Sequence, residues 1–211
     1  MMRSARGRGR STPDASLEDL MHALAAARLD AGIPGMAVGI LRDGEVVALR
    51  GMGLADIEAD RPVTPDTPFN IASVSKPISA VVAMRLQELG RLRLDAPMSE
   101  FRGFTEFCEA ALERGGIFFD DWSGDDPSVT LRHLLSMTSN GELGRRFFYN
   151  PVAFSWASRP MAEAAGAPFS ELVEEHVFTP ARMTRSARIH RARPLREDLV
   201  GALAAPYRLA A

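Results

Sequence analysis

The sequence predicts an α/β fold of the α+β kind, a helical part beside a small antiparallel sheet. Three observations carry that expectation. An apolar stripe at helical spacing comes first, an Asp-Gly pair then joins two short apolar runs, and later helical patterns bring no further strand pair. With 211 residues, 46% of them hydrophobic and 25% charged, the chain is long enough to bury one core.

The first sixteen residues, MMRSARGRGRSTPDAS, carry Arg3, Arg6, Arg8 and Arg10 with no apolar stretch behind them. Residues 1–15 therefore read as a disordered basic leader rather than a secretory signal, and the folded domain is expected over 16–211. From Ser16 to Asp30, Leu17, Leu20, Met21, Leu24 and Leu29 lie at helical spacing, with Ser16 as the N-cap candidate and Gly32 and Pro34 ending the run. Met36 to Leu41 and Val46 to Leu49 flank Asp43-Gly44, which predicts a two-stranded hairpin. Residues 51 to 68, rich in Gly, Asp, Thr and Pro, are expected to form a loop.

The next helix places Ile78, Val81, Val82, Leu86 and Leu89 on one stripe and stops at Gly90. Pro77 lacks an N–H and is tolerated only near a helix start, so this helix begins close to Ser73. Residues 101 to 127 mix aromatic residues, Gly115-Gly116 and the acidic run Asp120, Asp121, Asp125 and Asp126. The acidic spacing departs from a calcium loop and reads as a solvated face. A short helix is expected over Val129–Met137, another over Phe154–Ala165 ended or kinked by Pro160, and a third over Phe169–Val177. Beyond Pro180 the chain reads as irregular and arginine-rich.

Composition narrows the classes of function. A net charge of −2 gives no general attraction to nucleic acid or to an anionic membrane, so a small-molecule partner is expected. No stretch approaches the roughly 20 apolar residues of a transmembrane helix, and the expected location is cytoplasmic. The lone Cys108 excludes an intrachain disulfide, no Cys/His spacing resembles a metal site, and no metal or organic cofactor is expected. Buried and inert is the reading for that thiol.

Lys76 is the one lysine among twenty-five cationic residues, and it stands three positions after Ser73 in Ser73-Val74-Ser75-Lys76. A guanidinium stays charged, whereas a desolvated amine can lose its proton and act as a base. At the start of a helix an S-x-x-K puts hydroxyl and amine on one face, within reach of a shared hydrogen bond. Phe69, Ile71, Ala72 and Ile78 are the expected source of desolvation. A free lysine is neutral only about once in 2,500 at pH 7, so a useful base needs a downward shift of about three units. Ser75 is nearer in sequence, but adjacent helical residues point apart, which favours Ser73 as the nucleophile.

Thr64 to Pro97, TPDTPFNIASVSKPISAVVAMRLQELGRLRLDAP, resembles the active-site segment of the serine β-lactamase and penicillin-binding-protein superfamily. The likeness is greatest to class C β-lactamases and the esterases and D-stereospecific peptidases related to them. Gly32-Ile33-Pro34-Gly35 with the hairpin resembles the family's opening, Val129 to Ser139 its T-x-x-H-L-L-x-x-T-S stretch, and residues 142–184 the region of its second motif. The resemblance implies a β-lactamase-like fold and a serine hydrolase that forms an acyl-enzyme on an ester, amide or lactam. It makes Ser73 the nucleophile, Lys76 the proton acceptor or relay, and Tyr149 the tyrosine of Y-x-N.

Two departures accompany that resemblance. Y-x-N calls for asparagine where this chain has Pro151, leaving Asn150 in a shifted register as the substitute. The third motif, K-T-G or H-x-G, does not occur. Its strand would give an oxyanion donor, worth about 10²- to 10³-fold in rate, and would extend the sheet of which only the hairpin is expected here. The chain thus reads as an incomplete, apparently truncated hydrolase domain, and the alternative function is a non-catalytic binding protein. His133 reads as structural because no G-x-S-x-G elbow accompanies it, and His22, His176 and His190 have no motif around them. Trp122 and Trp156 read as core or cleft wall.

Overall fold

Asp43 and Gly44 both have positive φ, 52° and 80°, the signature of a type I′ turn whose twist matches that of the strands it joins. In the computed structural model, which describes residues 15–188 and 195–207, this turn connects β1 (Gly35–Arg42) to β2 (Glu45–Asp56). The antiparallel register runs from Gly35↔Gly53 to Arg42↔Glu45 with an irregularity at Ile40/Leu41. The predicted hairpin is therefore present, and both strands are longer than their apolar runs.

The loop expected over 51–68 is corrected. β2 continues to Asp56, and β3 (Arg61–Pro62) pairs back on it to give a sheet ordered β1-β2-β3. Glycine hid this from the pattern. A Cβ on Gly51 would lie 2.2 Å from the Val63 carbonyl oxygen, so the returning chain needs the bare backbone there.

Two structural units divide the chain: described residues up to Asn70 with those from Glu197 onward, and Ile71 to Arg196. The first holds α1 (Ala15–Asp30), the sheet and α8 (Glu197–Val200), a short helix in the stretch expected to be irregular. On α1 only Met21 of the predicted stripe is buried, while Leu20 and Leu29 are exposed. Arg61 donates to the carbonyls of Ala202 and Leu203 at 2.9 and 2.7 Å, and the Tyr207 hydroxyl accepts from the Ile57 amide at 2.8 Å. The leader, apart from Ala15, and His190 lie outside the described residues.

The second unit is built around α2 (Ser75–Glu88), preceded by a 3₁₀ turn at Ala72–Val74 and followed by Gly90 at φ 67°. Ser79, Val82, Ala83 and Leu86 form its buried face, an i, i+3, i+4, i+7 set. Val81 and Leu89, which the sequence placed on that stripe, are exposed. Burying Val82 and Leu86 contributes about 3 to 6 kcal/mol. α2 packs against α6 (Ser158–Ala165), α7 (Phe169–Val173) and the π-helical segment Glu174–Phe178.

α3 (Phe104–Arg114) was not foreseen, although Phe104, Phe107, Cys108 and Ala111 follow helical spacing. Its rings join the tryptophans: Phe104 meets Trp156 edge-on at 5.0 Å, and Phe107 stacks on the same indole at 5.6 Å. The Cys108 thiol is buried, donates to the Gly124 carbonyl at 3.3 Å, and is pushed up to about 12, chiefly by burial. α4 (Leu131–Leu135) is shorter than its predicted span. The expected helix over Phe154–Ala165 is two helices, α5 (Pro151–Trp156) and α6. The break falls at Ala157, before Pro160, which sits in the first turn of α6 where its missing N–H costs nothing. Among the described residues no helix is long and apolar enough to cross a membrane.

Candidate active site

The 3₁₀ turn Ala72–Val74 runs straight into α2, and this junction sets the spacing between Ser73 and Lys76. Ala72 has a φ of 43°, a left-handed conformation unfavourable for a residue with a Cβ. Strain of this kind, directly before a candidate nucleophile, is a signal that residue types alone do not carry.

From that junction the Lys76 amine donates to the Ser73 hydroxyl oxygen at 2.7 Å. Tyr149, from the segment leading into α5, closes a triangle: its hydroxyl donates to Ser73 Oγ at 2.6 Å and accepts from Lys76 Nζ at 2.9 Å. The three predicted site residues, separated by as many as 76 positions, thus meet through one set of hydrogen bonds. Two donors converge on Ser73 Oγ, an arrangement that favours negative charge on that oxygen. The hydrogen bond from Lys76 holds the Tyr149 phenol below its ordinary pKa, assisted by the bond to Ser73 and the lysine charge, with desolvation opposing.

The surroundings of the amine differ from expectation. Ile71 and Ala72 are exposed and Ile78 is partly buried, so these residues do not enclose it. The apolar neighbours are instead two rings, Tyr149 and Phe154, whose centroids lie 5.0 and 5.7 Å from Nζ. Phe154 was missed because its approach depends on how α5 docks.

Asn150 does not take the place of the asparagine missing from Y-x-N. It is 1% exposed, caps α5 by accepting from the Ala153 amide at 2.9 Å, and donates to the Phe118 carbonyl at 2.7 Å. Pro151 follows at the first helical position, where no N–H partner is required. His133 accepts from the Thr130 amide through Nδ1 at 3.1 Å, a structural contact at the start of α4. The amine bonds the Ser73 hydroxyl rather than that of Ser75. Asp121, Asp125 and Asp126 line a shallow surface depression with Trp122, and no group of metal-ligating side chains occurs among the described residues.

Comparison with known proteins bears on the family and the fold. Esterase EstB of Burkholderia gladioli is 40% identical over 123 residues, covering 54% of this chain and 28% of the esterase. A D-aminopeptidase of Gluconobacter oxydans is 27% identical over 207 residues, covering 83% of this chain and 38% of that enzyme. This chain therefore spans well under half the length of these curated relatives. Among solved structures, EstCE1, described as a hydrolase with promiscuous acyltransferase activity, superposes with a TM-score of 0.71 at 23% identity, covering 93% of this chain and 57% of that one. The family profile described as Beta-lactamase matches residues 15–198, nearly the whole chain, which therefore belongs to the β-lactamase family of serine hydrolases and penicillin-binding-protein-like proteins.

Proposed function

We propose that this chain forms an acyl-enzyme at Ser73 and hydrolyses a small-molecule acyl substrate, an ester in preference to an amide or lactam. The closed triangle of Ser73, Lys76 and Tyr149 is the observation that carries the reading. Ser73 Oγ attacks the acyl carbonyl while its proton passes to the Tyr149–Lys76 pair. That proton then goes to the leaving alcohol as its bond to the acyl carbon breaks. Water, deprotonated by the same pair, attacks the ester on Ser73; as the bond from the acyl carbon to Oγ breaks, the pair returns that proton to Ser73 Oγ and the acid is released. The preference for esters draws support from Asn150, whose amide is turned into the core, and from Pro151, which offers no amide to an acylamino group. Similarity to an esterase points the same way.

The test is labelling of the folded chain with a fluorophosphonate and with a fluorescent penicillin. Covalent labelling that disappears in Ser73→Ala and in Lys76→Arg is the expected result, since a planar guanidinium does not reproduce the single amine nitrogen that bonds both Ser73 and Tyr149. A folded preparation that neither probe labels refutes the hydrolase reading and leaves a non-catalytic binding role.

A further inference from the structure

The Tyr149 side chain is largely open, yet its neighbour Asn150 is among the most buried polar residues of the second unit, together with Asn140 at 0% exposure. The two carboxamides form a closed pair. Asn150 Nδ2 donates to the Phe118 carbonyl at 2.7 Å and to Asn140 Oδ1 at 3.3 Å. Asn140 Nδ2 donates to the carbonyls of Phe118 and Asp120 at 3.1 and 3.0 Å. Each carboxamide has two N–H donors, so all four are used. In the interior, a donor left without its partner loses its hydration and gains nothing in return.

The residue on the other side of Tyr149 is fastened too. Phe148 donates its amide to the Met137 carbonyl at 2.8 Å. The backbone is thus tied immediately before and immediately after the tyrosine, while the ring reaches out to Ser73. α5 itself is six residues long, too short to hold its own first turn.

Capping α5 needs only a side-chain oxygen, which Ser, Thr or Asp supplies as well as Asn. Donating two further hydrogen bonds while capping requires the carboxamide. We infer that Asn150 is a positioning residue for Tyr149. Through Asn140 and the carbonyls of Phe118 and Asp120, it holds the phenolic oxygen within bonding distance of Ser73. The inference rests on Tyr149 being the proton-transfer group proposed above. A displacement near 1 Å at such a contact costs about 10²-fold in rate.

The experiment uses the full chain and Asn150→Ser, which keeps the cap and removes both donors. Tyrosine ionisation is followed by ultraviolet difference absorbance, and subtraction of the Tyr149→Phe curve isolates Tyr149, a readout that needs no turnover. The expected result is a Tyr149 midpoint moved upward toward that of a free phenol. Fluorophosphonate labelling should fall by roughly 10- to 10²-fold, with no added loss when Asn150→Ser is combined with Tyr149→Phe. A midpoint equal to that of the parent, or the same fold-loss in both backgrounds, overturns the positioning role. Should Asn150→Ser fail to fold, Asn140→Ser leaves the cap in place and must raise the same midpoint; an unchanged midpoint there overturns the role equally. If the parent itself is never labelled, the hydrolase reading fails while the titration still decides the role of Asn150.

Discussion

Replacing Tyr149 by Phe removes one oxygen atom and two hydrogen bonds, those to Ser73 at 2.6 Å and from Lys76 at 2.9 Å. The ring stays, and so does the Lys76 bond to Ser73 at 2.7 Å, so the hydroxyl keeps a single activating partner. A positioned proton-transfer group contributes about 10²- to 10⁴-fold in rate. At 1.36 kcal/mol per decade, that is about 3 to 5 kcal/mol on the acylation barrier. Because the lost hydroxyl is on a side chain 43% exposed, unfolding free energy should change by no more than about 0.5 kcal/mol. A second signature is the pH profile. With the phenol held low by the Lys76 bond first and the Ser73 bond next, acylation of the parent should climb with pH through a midpoint below about 10. The variant should lose that limb. Stopped-flow labelling with a fluorophosphonate, alongside urea unfolding, measures both quantities. A Tyr149→Phe variant that labels within about threefold of the parent, with the same pH profile, refutes the role given to the phenol.

Three further outcomes are expected. With its pKa pushed up to about 12 by burial, Cys108 is thiolate in only about one molecule in 10⁴ at pH 8, so iodoacetamide should modify it at least 10²-fold faster in urea than in buffer; equal rates by mass spectrometry contradict its burial. Gly51→Ala drives a methyl to 2.2 Å from the Val63 carbonyl oxygen, whereas at Gly39 the nearest atom is 3.6 Å away. The first change should cost about 3 kcal/mol and the second should be neutral or stabilising by about 0.5 kcal/mol, and equal unfolding midpoints would rule out the β2–β3 approach. Ala72→Gly relieves a left-handed alanine worth about 1 to 2 kcal/mol against a chain-entropy loss of about 0.4 to 1 kcal/mol. Stability in urea should hold or rise by up to about 1.5 kcal/mol, and a clear fall argues against strain at this position.

Short-range chemistry was the legible part of this chain. Asp43-Gly44 named its own turn, because few residue pairs accept two consecutive positive φ angles. Ser73 and Lys76 were readable for the same reason, since their contact spans one helical turn. Tyr149 was found through the resemblance of its surrounding segment, not through spacing, because 76 positions separate it from Ser73. β3 escaped notice because Gly51 and Gly53 look like loop residues until the Val63 carbonyl is seen to crowd the first and the Pro34 carbonyl the second. α3 was obscured by the glycine pair and the acidic run after it, which coloured the reading of its own helical pattern. The inward turn of Asn150 was invisible for a different reason: a carboxamide beside a candidate catalytic tyrosine looks equally suited to substrate or core, and only tertiary partners decide.

Trp122 and Trp156 are the two indoles of the chain, both 5% exposed and both between Ile71 and Arg196. Their emission therefore reports on the part that carries Ser73, and the hairpin holds no indole of its own. A red shift during denaturation marks the moment water reaches α3 and α5. Circular dichroism at peptide wavelengths follows the whole backbone, and any gap between the two curves separates the melting of one unit from that of the other.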